Sequence, residues 1–286
     1  MEGFYLSVNA SLVQLITTFE LRDIFIELND YNFGSDLGRD SNIFLTYCKF
    51  FAIISYLYCM PGRRDIFHTQ GIYHIFNRTI DKKPIFLDTK LAQVFLDTLY
   101  FYRSQKAYIS FSQFRHLSPD IAVDTENNIA NKQYFKINIL AYCLMPTHFH
   151  LLVEELHEDG IVSVMSNSVN SLTRFYNIKK KRKGPLFLPR FQSREVVTDE
   201  LLAHVSRYQH LNPFSSDLIK KMNDLIYYPW SSYRYYVTKD VSPLVKTNTI
   251  LDIFGNDSEK YRSFVHHRAN YQRSLEELKY IEKWNT

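Results

Sequence analysis

Pro146-Thr147-His148-Phe149-His150-Leu151-Leu152-Val153 is a turn running into a strand. Successive side chains of a strand point to opposite faces, so His148 and His150 project from one face. Phe149 and Leu151 point the other way, into a core. Two imidazoles side by side on a sheet can hold a divalent cation when another residue adds an oxygen ligand. By spacing alone, two histidines that merely pack fit equally well.

Upstream of this strand, residues 136–144 read as a second strand, which Pro146 ends. Gly71-Ile72-Tyr73-His74-Ile75-Phe76-Asn77-Arg78 alternates and reads as the first. Between them, Leu91, Phe95, Leu99 and Tyr102 recur at helical spacing, so a helix is expected over residues 89–105. The polar stretch 110–133, with Pro119 and an Asn/Asp cluster, reads as a long loop or insertion. Downstream, Gly160 closes the connection. A helix is expected over 161–179, where Val164, Val169, Leu172, Phe175 and Tyr176 share a side. Glu195-Val196-Val197 completes a fourth strand. Thr198 is placed to cap a helix over 199–212, with Asp199 and Glu200 in its first turn and Pro213 as its stop.

The 286 residues suffice for a real core, and 45% hydrophobic with 22% charged residues is an ordinary globular balance. Cys48, Cys59 and Cys143 are isolated, with no CxxC pair, which argues against a disulfide framework or a structural zinc site and fits a reducing, cytoplasmic setting. The net charge of +4 is unevenly spread. Residues 1–60 hold three basic and seven acidic residues, leaving 31 basic and 23 acidic ones beyond them. A polyanionic partner therefore belongs on residues 61–286. No basic n-region opens the chain, so no signal peptide is expected. The most apolar stretch, residues 43–59, is short of the roughly twenty residues of a membrane span and is broken by Thr46, Lys49 and Ser55.

This divides the chain into an acidic, aromatic-rich extension (1–60), a central domain (61–237) and a helical tail (238–286). The extension is either an added helical module or upstream sequence translated from a misassigned start.

Between Ser171 and Arg194 lie eight basic residues and no acidic one: Arg174, Lys179, Lys180, Lys181, Arg182, Lys183, Arg190 and Arg194. Such a run is usually a solvated turn. Here it is interleaved with Phe175, Phe187 and Phe191, the pairing that contacts phosphates and stacks on single-stranded bases.

On the helix over 199–212, Tyr208 and Asn212 are four apart and share a face, with His204 one turn earlier. A phenol has an unperturbed pKa of about 10 and is a poor nucleophile at neutral pH. Beside a cation that polarises a phosphodiester, it could attack the phosphorus. Asn212 is placed to give the amide oxygen such a cation needs. With 21 tyrosines in the chain, any one of them more often packs than reacts, so the conjunction of features matters more than the residue. Tyr176, on the preceding helix, is the alternative nucleophile.

Leu144-Met145-Pro146-Thr147-His148-Phe149-His150-Leu151-Leu152-Val153 resembles the HUH motif of the single-tyrosine transposases. It is most similar to the REP-associated tyrosine transposases and their insertion-sequence relatives. Four further blocks match in order: Gly71 to Arg78 as quoted above, Arg190-Phe191-Gln192-Ser193, Arg207-Tyr208-Gln209-His210-Leu211-Asn212-Pro213, and Tyr228-Pro229-Trp230-Ser231-Ser232-Tyr233. The likeness runs over residues 71–236, with an echo at Leu251-Asp252-Ile253-Phe254-Gly255.

The resemblance implies an α+β, ferredoxin-like domain, an antiparallel sheet with helices on one face, here with N- and C-terminal helical extensions. It implies an Mg²⁺- or Mn²⁺-dependent enzyme that nicks and joins single-stranded DNA near hairpins. His148 and His150 would be metal ligands, and Tyr208 the nucleophile that leaves a 5′-phosphotyrosine and a free 3′-OH. Asn212 would be the third ligand, where distant relatives have Gln; His210 or Gln209 could substitute. Arg78, Lys179, Lys180, Lys181, Arg182, Lys183, Arg190, Phe191 and Arg194 would contact DNA. A nucleoid-associated location and a homodimer are compatible with this reading, and a membrane is not part of it. Two other readings are open: a domesticated hairpin binder without catalysis, and an RNA-binding ferredoxin-like module. The latter would put exposed aromatics, not histidines, on the central strands.

Overall fold

A computed structural model describes residues 66–270, 272 and 273; the acidic extension and the apolar stretch at 43–59 lie outside them. The fold is α+β. Four strands, β1 (Ile72–Arg78), β2 (Ile137–Met145), β3 (His148–Glu155) and β4 (Gln192–Glu195), form an antiparallel sheet in the order β2-β3-β1-β4. This is the ferredoxin-like arrangement expected. The β1-to-β2 crossover carries helix α1 (Thr89–Tyr102), and a two-residue turn, Pro146-Thr147, joins β2 to β3.

One sheet face is apolar along every second residue. Tyr73 and Ile75 of β1, Ile137 and Ile139 of β2, and Phe149, Leu151 and Val153 of β3 are all buried there. Against them pack Leu91, Phe95 and Leu99 of α1, at the helical spacing that the sequence presents. Phe149 sits at the centre, its ring 4.8 Å from that of Phe95 and 5.6 Å from that of Phe187.

The stretch expected to be a loop, 110–133, instead holds two helices, α2 (Phe111–Phe114) and α3 (Pro119–Ala130). Ser110 and Gln113 close a reciprocal capping box at the start of α2. Pro119 occupies the first turn of α3, where a missing N–H costs nothing. Of the α3 residues only Ile129 is buried, so no apolar stripe marks this helix in the sequence.

After β3 comes α4 (Gly160–Lys179), whose Ile161, Val164, Leu172 and Tyr176 join the same core as α1. Gly160 is required by close approach, because a Cβ there would lie 2.5 Å from the Lys136 carbonyl oxygen. The buried Glu155 carboxylate accepts from the backbone N–H groups of Gly160 and Ile161, satisfying the donors that a helix start leaves open.

β4 ends at Glu195, two residues earlier than expected. It is an edge strand of polar residues, Gln192-Ser193-Arg194-Glu195, so its hydrogen bonds to β1 rather than its side chains define it. Of the two valines that suggested the strand, Val196 is buried under the next helix and Val197 is exposed.

That helix, α5 (Asp199–Ser215), crosses the opposite face of the sheet. Thr198 caps it, accepting from Leu201 N–H at 3.1 Å. It runs through Pro213 instead of stopping there. Beyond the proline the chain ends are satisfied locally: Ser216 N–H and Oγ both donate to the Asn212 carbonyl, and Ile219 N–H donates to that of Pro213.

A β-bulge lies where the pairing of β2 with β3 shifts between Ile139 and Ala141. It turns both Leu140 and Ala141 toward α5, where they pack with Leu152, Leu202, Val205, Leu211 and Phe214. Short helices α6 (Arg234–Val237) and α7 (Asn248–Leu251), then α8 (Ser258–His267), cover the far side of α5. Tyr236, Ile250, Tyr261 and Val265 thus share this second core, and the described part of the tail packs as an integral layer. Among the described residues, no helix is long and apolar enough to cross a membrane.

Candidate active site

The histidines fall where the alternation of β3 places them. His148 and His150 project toward α5, with ring centroids 5.0 Å apart, while Phe149 lies in the core behind them. In the sheet register His148 pairs with Arg78 of β1 and Met145 of β2; His150 pairs with Phe76 and Cys143. His150 is buried and His148 half-buried. The turn before them is held in place: Thr79 donates from both its backbone N–H and its hydroxyl to the Thr147 carbonyl. Thr147 Oγ1 lies 3.1 Å from Nδ1 of His148.

α5 brings Tyr208 to this pair. The Tyr208 ring meets that of His150 edge-on, with centroids 6.0 Å apart. Asn212, one turn on, is buried, and its Nδ2 has no hydrogen-bond partner. Gln209 is fully buried, and neither of its amide atoms is bonded. Buried amides without partners are rare enough to call for an explanation such as an ion. Of these orphan atoms only Oε1 of Gln209 is an acceptor that a cation could use; the Asn212 and Gln209 nitrogens are donors. Among the described residues no three His, Cys, Asp or Glu side chains converge as ligands, so a cation held by the two imidazoles would need an oxygen from another source.

Desolvation holds the His150 imidazole well below its usual range, with the neighbouring His74 and His148 adding to the shift. It is thus neutral at physiological pH, as a ligand must be.

The other candidates separate. His210 could not stand in as a ligand: it is fully buried, with Nδ1 at 2.7 Å from Tyr261 Oη and Nε2 at 2.8 Å from Ser232 Oγ. Burial pushes its imidazole down to about 3. Ser232 also bonds the backbone N–H and carbonyl of Tyr142 in β2, so His210 ties α5 to the sheet. His204 lies beside Arg207, 2.7 Å from its Nη2, and near Phe264 of α8. Tyr176, the alternative nucleophile, is buried in the core on the opposite face from the histidines, beneath Arg182.

The basic run is divided in its roles. Arg182 donates to Asn177 Oδ1 and to the Pro185 carbonyl, holding the turn that follows α4. Lys179 pairs with Asp88 at the start of α1. Lys180, Lys181 and Lys183 are exposed, as are Arg78, Arg190 and Arg194. Of the interleaved aromatics, Phe187 is a core residue, Phe175 packs against the core, and Phe191 stacks on Phe67 with centroids 6.2 Å apart. Phe187 is therefore no platform for a base. Residues 186–188 run alongside the end of β1, with Leu188 N–H donating to the Arg78 carbonyl and Ile80 N–H to that of Leu186. This tethers the basic loop beside the strand end that carries Arg78.

His74 is a site residue to which the motif reading assigned no role. It lies on the same face of β1 as Phe76 and is nearly inaccessible; its Nε2 is 3.0 Å from Nδ1 of His150. Burial, with the charge of Arg194 opposite it on β4, pushes its imidazole down to about 3. The alternation of β1 puts His74 on this face. Its partner follows from the β1–β3 register, which has no local signature.

No family model matches the chain, and no curated protein does. Among solved structures, one described as a REP-associated tyrosine transposase bound to a REP hairpin aligns with a TM-score of 0.44 at 14% identity. The alignment covers 65% of this chain and 92% of that one.

Proposed function

We propose that this chain is a DNA strand transferase that nicks and rejoins single-stranded DNA at or near hairpins, with Tyr208 as its nucleophile. The reading rests foremost on the edge-on approach of Tyr208 to His150, which joins a strand and a helix far apart in sequence into one site. The order of motifs in the chain supports it, as does the exposed basic flank at Arg78, Lys180, Lys181, Lys183, Arg190 and Arg194.

In this reading His148, His150 and the Asn212 amide oxygen would hold Mg²⁺ or Mn²⁺, which would supply Lewis-acid polarisation of the scissile phosphodiester. The Tyr208 phenolic oxygen forms a bond to phosphorus as the bond from phosphorus to the 3′ oxygen breaks. The phenolic proton passes to solvent and the departing 3′ oxygen takes one up, leaving a 5′-phosphotyrosine and a 3′-OH. Rejoining is the reverse displacement by a 3′-OH. His210 and Ser232 hold α5 to the sheet and so keep Tyr208 in register with the histidines.

The test is incubation with labelled single-stranded DNA carrying hairpins, with and without Mg²⁺ or Mn²⁺, resolved on a denaturing protein gel. A cation-dependent covalent adduct that disappears in Tyr208→Phe is expected. Hairpin binding without an adduct would instead assign the chain to the non-catalytic binders. An adduct surviving in Tyr208→Phe would remove Tyr208 from the mechanism.

A further inference from the structure

His150 has one ring nitrogen committed within the protein. Its Nδ1 faces Nε2 of His74 at 3.0 Å, and the two rings stack with centroids 5.2 Å apart and planes at 21°. Both rings are buried. One proton therefore lies between them, and it has two placements. If His74 donates, His150 keeps its own proton on Nε2 and has no lone pair to offer a cation. If His150 donates, its Nε2 carries the lone pair.

We propose that His74 is a positioning residue for the site: it accepts the Nδ1 proton of His150 and so fixes the tautomer that ligates through Nε2. This rests on the cation-dependent reading given above. His74 touches neither substrate nor cation in this scheme.

Three observations carry it. Among the described residues His74 bonds only to His150, so no other element claims its ring. As acceptor at Nε2 it keeps its own proton on the buried, unpartnered Nδ1, a cost that ligation through His150 Nε2 has to offset. Second, His148 has the same nitrogen engaged, Nδ1 against Thr147 Oγ1. Both candidate ligands thus meet a neighbour at Nδ1, the pattern by which outer partners orient metal-binding imidazoles. Third, the stacking of His74 on His150 holds the ring plane as well as the proton, and Phe76 flanks both rings at 5.2 and 5.9 Å.

The test reads the tautomer and the affinity separately from activity. Imidazole ¹⁵N–¹H correlation spectra of the wild-type protein saturated with Mg²⁺ should show His150 protonated at Nδ1 and bare at Nε2. Mn²⁺ titrations followed by water-proton relaxation should show His74→Leu binding roughly 10–100-fold more weakly than wild type. His74→Gln, whose amide oxygen can stand near the position of Nε2, should recover most of that loss. A His150 that keeps its proton on Nε2 in the saturated protein overturns the proposal, and this measurement needs no variant. So does His74→Leu binding Mn²⁺ as wild type does while His148→Ala abolishes binding; that result leaves the cation site standing. Wild-type affinity unchanged by His148→Ala would overturn the cation site itself, and the role of His74 with it.

Discussion

At the scale of single residues, hydrogen-bond partners tell the buried histidines apart: His210 is bonded at both ring nitrogens to residues of the fold. His210 carries the polar link between α5 and the sheet, and its two partners, Tyr261 and Ser232, are buried with it. Both hydroxyls keep another partner, Tyr261 with Ser206 and Ser232 with Tyr142, so removing the ring costs two buried hydrogen bonds at about 0.5–1.5 kcal/mol each and leaves a cavity. His210→Ala is therefore expected to lose roughly 3 kcal/mol in urea denaturation. A loss under half of that would mean the network is not what holds α5. Cys143 is the opposite case. It lies opposite His150 in the register, yet it is fully buried, and burial pushes its thiol up. It should resist alkylation in the native protein and react after denaturation, as peptide-resolved mass spectrometry would record.

Elements are fixed by ends and faces. β3 separates its two functions by alternation alone: Phe149 and Leu151 fill the core while His148 and His150 line the site. Phe149→Ala should cost about 3–5 kcal/mol by creating a cavity between Phe95 and Phe187. Because the histidines hang on the same strand, cation binding should weaken alongside stability. The α5 start is a cleaner probe. Thr198 lies ten residues from Tyr208, and its cap on Leu201 is worth about 1 kcal/mol. Thr198→Ala should lower the unfolding free energy from urea denaturation by that amount and leave adduct formation by the folded protein unchanged.

Across the described residues, the sheet carries a core on each face, one with α1 and α4 and one with α5, and the candidate site lies on the α5 face. The exposed cations gather where β1 ends and the basic loop is tethered to it. Each cation that contacts a phosphate should contribute about one unit to the slope of log K against log salt in hairpin binding. Lys183→Ala and Arg190→Ala are thus expected to lower that slope, measured by fluorescence anisotropy at several salt concentrations. Lys179→Ala should change it less, because Lys179 is paired with Asp88. Equal effects at Lys179 and Lys183 would place the strand elsewhere.

Local rules were enough for β1, β2 and β3, the α1 and α4 helices, the shared face of His148 and His150, and the shared stripe of Tyr208 and Asn212, but not for the bounds of the polar edge strand β4. Each follows from a period of two or 3.6, or from a capping residue next in the chain. The helices at 111–130 were hidden because they bury little, and a proline that starts a helix reads as one that breaks it. The continuation of α5 through Pro213 depends on partners further along the chain, Ser216 and Ile219. Only the tertiary structure chose among the polar residues of Tyr208-Gln209-His210-Leu211-Asn212. It sealed His210 between Tyr261 and Ser232, brought Tyr208 to His150, and set His74 against His150 across the strand register. Those choices hinge on which residues far apart in sequence exclude water from one another, and no local period encodes that.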